Sequence, residues 1–168
     1  MRHPVLTGEF ELNVDDKNRL LIPSEVRRSI NQAEHGEGFF LVMGINRRPW
    51  LYPERYYENL VTAAPADLTP EQDLLAFDQL HFALASRVEP DGQGRLLLPQ
   101  KILRRAGIQK EVTLIGVRDH LEVWNRADWE ARIEELERQA AEIAIAAKRQ
   151  RRQSNPERVG PEPTGRAD

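Results

Sequence analysis

Apolar and polar residues alternate near the start of the chain, which is the pattern of a β-strand with one buried face. Phe10, Leu12 and Val14 fall on one side of this strand, and polar residues fall on the other. A tight turn follows, and the chain then returns in a second strand over residues 19–22. Pro23 ends that strand and is suited to the first position of a short helix, where a missing N–H costs little.

The spacing of Val26 and Ile30 gives this short helix one apolar face. Two further strands are predicted over residues 39–43 and 50–52, because both are rich in aromatic and aliphatic residues. A second helix then starts near Pro53. The pattern therefore predicts two strands, a helix, two more strands and a helix.

The same order of elements occurs twice. The motif Asp-x-x-x-Arg-Leu-Leu-x-Pro is present at residues 15–23 and again at residues 91–99, an offset of 76. The apolar strand Phe40–Gly44 likewise corresponds to Val112–Gly116, at an offset of 72. The first copy therefore holds four extra residues between these blocks, which we place in the polar stretch Asn31–Gly38.

The second copy carries its own signals for helix boundaries. Ile102 and Ala106 form the apolar face of the short helix, and Gly107 is predicted to be its C-cap. After the last strand, Asn125 together with Asp128 resembles an N-terminal capping pair. Each copy is thus predicted to begin and end its helices at equivalent places.

These patterns predict a mainly β protein with short helices, of the α+β class. The first repeat covers residues 6–61 and the second covers residues 82–128, and a linker with a connecting helix occupies residues 62–81. One copy is below the size at which a single hydrophobic core is comfortably stable. We therefore expect the two copies to share one core as a pseudo-dimer.

The C-terminal segment has a different character. Apolar residues at alternating spacings of four and three predict a long helix over residues 129–152, and the tail 153–168 is predicted to be disordered. The apolar stripe consists of Trp129, Ile133, Leu136, Ala140, Ile143 and Ala147. The stripe can pack on the core or on a partner helix, and the basic run Lys148–Arg152 is either a solvated helix end or an electrostatic contact with nucleic acid.

Composition narrows the classes of function. The chain has no Cys, which excludes disulfides and thiolate chemistry, and its four His residues share no ligand spacing, so we expect no metal or other cofactor. No apolar run is long enough to span a bilayer, and we expect a cytoplasmic protein without a membrane partner. The net charge of −3 argues against tight binding of a polyanion by one subunit through its overall field.

The most distinctive candidate chemistry lies in the two Asp-x-x-x-Arg turns, residues 15–19 (turn 1) and 91–95 (turn 2). Turn 1 carries Lys17 and Arg19, and turn 2 carries Arg95. The guanidinium donors of the two arginines match a phosphate or a guanine edge. The structural turn residues are Asp15, Asn18, Asp91 and Gly94. We expect each Asp to bond turn N–H groups and hold the Arg, while Asn18 and Gly94 adopt positive φ. The alternative is an ordinary hairpin turn with an exposed Arg.

Arg28 and Arg104 occupy equivalent positions in the two short helices. Both lie just after the motif and could contact a nucleic-acid backbone. An Arg on a helix surface is more often simply solvated, and the sequence does not decide between these two interpretations.

These residues resemble the MraZ family of bacterial transcriptional regulators, and the resemblance covers residues 6–138. It rests on residues 7–10, 15–23, 77–80, 91–99, 115–117 and 123–124. It implies a swapped-hairpin barrel like that of AbrB-type regulators, formed by two tandem repeats in one chain. It also implies assembly into a homo-oligomeric ring that binds tandem promoter repeats in double-stranded DNA, most simply as a repressor located at the nucleoid.

The resemblance also implies that the turns supply the DNA contacts, with Arg19 and Arg95 as the contacting residues and Lys17 assisting. Two positions depart from the family pattern. Asn18 stands where the family usually has Gly, and Thr7 stands where it usually has Arg.

Two other classes of function are compatible with the residues. One is an oligomeric scaffold that uses the C-terminal stripe and never binds DNA. The other is an enzyme that uses Asp15 or Asp91 as an acid or base, which would require a deep pocket around either carboxylate. Since no phosphate loop, nucleophile elbow or catalytic triad is visible, we expect no enzymatic activity and no small-molecule substrate.

Overall fold

The computed structural model describes residues 2–63 and 71–154. The elements of the first copy are β1 (Glu9–Asn13), β2 (Arg19–Leu21), α1 (Ser24–Ser29), α2 (Gln32–His35), β3 (Phe39–Met43), β4 (Pro49–Pro53) and α3 (Glu54–Ala63). After α4 (Gln72–Leu84), the second copy contains β5 (Ser86–Val88), β6 (Arg95–Leu97), α5 (Gln100–Ala106), β7 (Glu111–Gly116) and β8 (Leu121–Asn125). The helices α6 (Arg126–Arg138) and α7 (Ala140–Ser154) follow.

The predicted order of elements is confirmed in both copies. Among the described residues of the two copies, α2 alone has no counterpart, and it lies in the stretch predicted to hold the four extra residues. The structure is mixed α/β, and helices cover more of the described residues than strands do, so the expectation of a mainly β protein was wrong. The helical content comes mostly from α4, in and after the predicted connecting segment, and from α6 and α7, where a long C-terminal helix was predicted.

The strands form two antiparallel sheets. The larger sheet has the order β1-β7-β8-β4-β3-β5, and β2 pairs with β6 in a separate two-stranded sheet. Exchanging each strand for its counterpart in the other copy reverses the order of the larger sheet and leaves it otherwise unchanged. The strand β2 returns from turn 1 to pair with the other copy, and β1 itself pairs with β7.

A single buried cluster draws on both copies. Leu20, Ile22 and Leu41 contribute to it from the first copy, and Leu96 and Leu98 from the second, each at most 1% exposed. Because each sheet pairs strands across the copies, neither copy buries these leucines alone. This core belongs to the compact unit Met1–Trp129.

The unit Glu130–Asp168 is separate. Its described part is helical, and the predicted single helix is divided into α6 and α7 at Gln139. None of its described residues is buried, and Ile143 and Ile145 are exposed. The first two residues of the tail predicted to be disordered, Gln153 and Ser154, belong to α7. The rest of the tail lies outside the described residues, as do residues 64–70 of the predicted linker.

The predicted capping role of Asn125 was wrong. Its side-chain oxygen accepts from the backbone N–H of Gln109, and its amide nitrogen donates to Gly107 O and to Asp128. Asn125 thus ties the C-terminal end of α5 to the start of α6. Gly107, in contrast, has a φ of 65° and is the predicted C-cap of α5. In the part of the chain that the structure describes, no helix has the length and hydrophobicity needed to cross a bilayer.

Candidate nucleic-acid interface

The two-stranded sheet brings the two motifs together. Arg19 lies opposite Leu97, and Leu21 lies opposite Arg95. Between these pairs, Leu20 lies opposite Leu96, and both are fully buried. Because side chains alternate along a strand, the residues on either side of them point outward. We call the outward side the ladder face; it consists of Arg19, Leu21, Arg95 and Leu97.

The carboxylate of Asp15 organises turn 1. Its Oδ1 accepts from the backbone N–H groups of Lys17 and Arg19, both at 2.9 Å. Its Oδ2 accepts from Nε of Arg19 at 2.7 Å. The backbone N–H of Asn18 also donates to the carbonyl of Asp15, at 2.9 Å. One side chain therefore closes the turn and fixes the direction of the guanidinium, as the sequence predicts.

Turn 2 repeats this arrangement. Oδ1 of Asp91 accepts from the backbone N–H groups of Gln93 and Arg95, at 2.9 and 3.0 Å. Its Oδ2 contacts both Nε and Nη2 of Arg95 at 2.8 Å. Since the two turns use the same atoms at nearly the same distances, they are structurally equivalent. Lys17 is replaced by Gln93, so only turn 1 has a second cation.

Asn18 and Gly94 adopt the predicted positive φ, at 60° and 80°. In this conformation, the backbone carbonyl of each residue makes a further hydrogen bond at the end of the β2–β6 pairing. The carbonyl of Asn18 accepts from the N–H of Leu98 at 2.8 Å, and that of Gly94 accepts from the N–H of Ile22 at 2.9 Å. The two turns are therefore attached to the strands of opposite copies, which fixes their relative position.

Both ion pairs are partly exposed. The side chains of Arg19 and Arg95 are each 28% exposed, so neither pair is buried away from a partner. The backbone N–H of Arg19, followed by its guanidinium, holds the pKa of Asp15 below its usual value despite an opposing effect of burial. The guanidinium of Arg95, and then its backbone N–H, lower the pKa of Asp91 to about 2.

The low pKa values keep both carboxylates ionised at neutral pH. Neither Asp15 nor Asp91 is then suited to donate a proton, which weighs against the acid–base alternative. The groove beside Asp15 is an open one, and its other lining residues include Asn18, Gln100 and Arg104.

The other predicted contact residues take different positions. Lys17 is exposed on turn 1, and Arg104 shares the groove beside that turn. Arg104 thus lies next to the turn of the opposite copy. Arg28 is exposed on α1, where its Nε donates to Ser24 O, and among the described residues no hydrogen bond or ion pair joins it to turn 2. The structure therefore brings Arg104 to the site and leaves Arg28 on the helix surface.

Two residues of the site, Leu21 and Leu97, and one contact, that of Arg27, were not predicted. The sequence offered Arg27 only as a possible backbone contact on the helix, but it lies so close to turn 2 that a Cβ on Gly94 would be 2.9 Å from its Cζ. This contact comes from chain topology, and no local pattern signals it. Leu21 and Leu97 were read only as strand residues. The two-residue period could have identified them, because it places both on the same side as the arginines.

A second polar cluster surrounds His120, which was noted only for lacking a ligand spacing. Its ring is buried, with Nδ1 at 2.8 Å from Asp119 and Nε2 at 3.4 Å from Glu122. The ring also stacks against Trp50 and Tyr52, at centroid distances of 4.3 and 4.9 Å. This cluster joins β4 to the hairpin between β7 and β8.

In this cluster, the positive charge of protonated His120 and the negative charges of Asp119 and Glu122 stabilise one another. Burial opposes protonation of His120, but hydrogen bonds with Glu122 and Asp119 outweigh it and raise the pKa of the imidazole. The same contacts lower the pKa of Asp119 and Glu122 against the effect of burial. Glu122 also accepts from Asn46 and from Trp124, at 3.0 and 2.7 Å. Within residues 2–63 and 71–154, no group of His, Asp or Glu is arranged to hold a metal ion.

Comparison with known proteins is consistent with the duplicated architecture. Residues 5–76 and 81–153 each match the family model described as "MraZ protein, putative antitoxin-like". A protein of Acetivibrio thermocellus named transcriptional regulator MraZ is 36% identical over 124 residues, which cover 74% of this chain and 83% of that protein.

Two further proteins of the same name give longer alignments. The one from Pediococcus pentosaceus is 35% identical over 140 residues, 82% of this chain and 92% of its own length. The one from Thermomicrobium roseum is 36% identical over 137 residues, 82% of this chain and 93% of its own length. With both copies matched by the family model, and with relatives this similar over most of their length, the chain belongs to the MraZ family.

Proposed function

We propose that this protein is a transcriptional regulator that binds double-stranded DNA through turns 1 and 2. The regulator acts as a homo-oligomeric ring on tandem promoter repeats, represses transcription and resides at the nucleoid. Arg19 and Arg95 supply the principal contacts, Lys17 and Arg104 assist at turn 1, and Arg28 contributes from α1. The names of the relatives support the regulatory role, and the geometry of the turns supports the site.

The observation that carries this proposal is the pairing of two structurally equivalent Asp–Arg turns on one short sheet. Arg19 and Arg95 are diagonal neighbours across the ladder, a relation that separates residues by about 7–8 Å. Each guanidinium is oriented by its own Asp and keeps donors that the Asp does not use. Such preorganised forks match phosphate oxygens and guanine edges.

Assembly into a ring explains how a chain with a net charge of −3 can bind DNA tightly. One subunit presents only a small basic area, which is partly neutralised by Asp15 and Asp91. In a ring, each further subunit binds a DNA that is already tethered, so weak contacts multiply through their effective concentration. The expected result is binding that depends on several promoter repeats and that falls steeply with salt.

The symmetry of the fold supports a swapped-hairpin barrel, in which β2 and β6 exchange between the copies as they would in a dimer. An exposed apolar surface supports self-association. The exposed apolar side chains of α4 are Leu74, Leu75, Phe77, Leu80 and Phe82. Of these, Phe77 and Leu80 line a cleft of about 770 Å³ between α4 and the β3–β4 hairpin. An apolar surface of this kind marks an interaction site in soluble proteins.

The test begins with selection of bound fragments from random DNA by the wild-type protein. The selected duplex is then titrated with the Arg19→Ala variant and followed by fluorescence anisotropy. Loss of one bidentate contact costs about 1–3 kcal/mol, or roughly 5- to 150-fold in affinity. Repeated around a ring, this loss abolishes specific binding while the fold is retained.

Arg132→Ala on α6 is the matched control, because it removes an exposed Arg far along the chain from either turn. It should bind as the wild type does. Arg95→Ala should weaken binding less than Arg19→Ala, since turn 2 lacks a counterpart of Lys17. Equal losses would show that the two turns are used symmetrically. Failure of the wild type to enrich any DNA would refute the proposal and favour the oligomeric scaffold.

A further inference from the structure

Two leucines on the ladder face are exposed in a way that the fold does not require. Leu21 is 45% exposed and Leu97 is 61% exposed, whereas the intervening leucines of β2 and β6 are fully buried. Each exposed leucine lies directly across the ladder from an arginine of the DNA-contacting pair. The face is therefore a small square of two cations and two aliphatic side chains.

The two arginines beside these leucines limit which kind of partner can bind to the ladder face. A purely apolar partner would have to strip water from Arg19 and Arg95, whose Asp partners satisfy only part of their donors. A partner must therefore offer acceptors to the arginines and an apolar group to the leucines. A DNA duplex offers both, because its phosphates and guanine edges accept hydrogen bonds from arginine and its major groove displays the apolar C5-methyl group of thymine. The major groove is also wide enough to admit a two-stranded β-ribbon.

We propose that Leu21 and Leu97 read thymine by packing against its C5-methyl group in the major groove. This inference rests on the proposed DNA-binding function and assigns base discrimination to two uncharged residues. The arginines hold the duplex against the ladder, and the leucines select sequences that place a thymine beside each of them. Because the face has approximate two-fold symmetry, the two thymines are expected on opposite strands of one short repeat.

The experiment uses the full chain and the duplex selected by the wild type. Each thymine is replaced in turn by deoxyuridine, which removes only the methyl group. Burying one methyl group is worth about 0.8 kcal/mol, so wild-type affinity should fall about fourfold at the contacted thymines and stay unchanged at the others. Leu21→Ala and Leu97→Ala should each bind the thymine duplex more weakly and lose this sensitivity at one position.

Ile145→Ala on α7 is the control, since it shortens an exposed aliphatic residue outside the ladder face. It should retain the full response to deoxyuridine. The leucine variants should also keep the wild-type dependence of affinity on salt, because they remove no charge, whereas Arg19→Ala should make it shallower.

The outcomes separate this inference from the proposed function. If the wild type binds DNA but tolerates deoxyuridine at every position, or if the leucine variants keep the same sensitivity, the leucines do not read thymine although the protein still binds DNA. A change in sedimentation of the leucine variants would also overturn the inference, by showing that the leucines join subunits. If no DNA is bound, the proposed function itself fails.

Discussion

The shared core makes a specific prediction for Leu20, which lies under the ladder face and directly opposite Leu96. Both side chains are 0% exposed, and each comes from a different copy. Truncating Leu20 to Ala leaves a cavity on the boundary between the copies. The loss should therefore destabilise both copies together.

The magnitude follows from the burial. A fully buried Leu that becomes Ala loses its transfer free energy and leaves a cavity, which together cost about 2.7–5 kcal/mol. For a chain of this size, that corresponds to a fall of roughly 5–20 °C in the melting temperature. Leu96→Ala should cost a similar amount. Since the two leucines are in direct contact, the double variant should differ from the sum of the single variants by about 0.5–3 kcal/mol.

The assay is urea unfolding at fixed protein concentration, followed by tryptophan fluorescence. Trp50 reports on the first copy and Trp124 on the second. Replacing Trp129 and one of these two with Phe isolates each signal. Leu97→Ala, the exposed neighbour of Leu96, is the control and should change stability by less than about 0.5 kcal/mol. Leu20→Ala should shift both signals equally. A shift confined to the Trp50 signal would refute a shared core.

Three further variants test local features. The raised pKa of His120 means that its hydrogen bonds stabilise fully below about pH 6.5 and are lost as the pH rises through the raised value. His120→Gln should therefore abolish this alkaline loss of stability in urea titrations over a pH series. In Gly44→Ala, the new Cβ would lie 2.2 Å from the ring of Trp50 and should cost about 1–3 kcal/mol by calorimetry, whereas Gly92→Ala meets no neighbour within 4 Å and should cost far less. Asn18→Ala should lower stability by about 1–2 kcal/mol, because alanine tolerates φ of 60° poorly, and Asn18→Gly should not.

The local features of the fold could be predicted because local signals determine them. The alternation in β1, Pro23 before α1, Gly107 after α5 and the positive φ of Asn18 all follow from residues close together in sequence. The duplication then extended each prediction to the other copy. The role of Asp15 in turn 1 could also be predicted, because its partners lie within four residues of it.

The features that were missed depend on contacts between distant residues. No periodicity reveals that β2 pairs with β6, because the same alternation would suit a hairpin with β1. The contact of Arg27 with turn 2 follows from that pairing. Asn125 was predicted to cap α6 because its type suits that role, but the N–H of Gln109 competes for the same oxygen and prevails. Long-range pairing thus decides which of several locally suitable partners a side chain takes.

The central claim is that turns 1 and 2 hold the DNA, and hydrogen–deuterium exchange of the whole protein with and without the selected duplex tests it most directly. If the turns bind the duplex, exchange should slow on DNA binding in two segments, residues 15–22 and 91–98, and stay unchanged in α7. Protection confined to the basic residues of α7, with both turns unaffected, would contradict it.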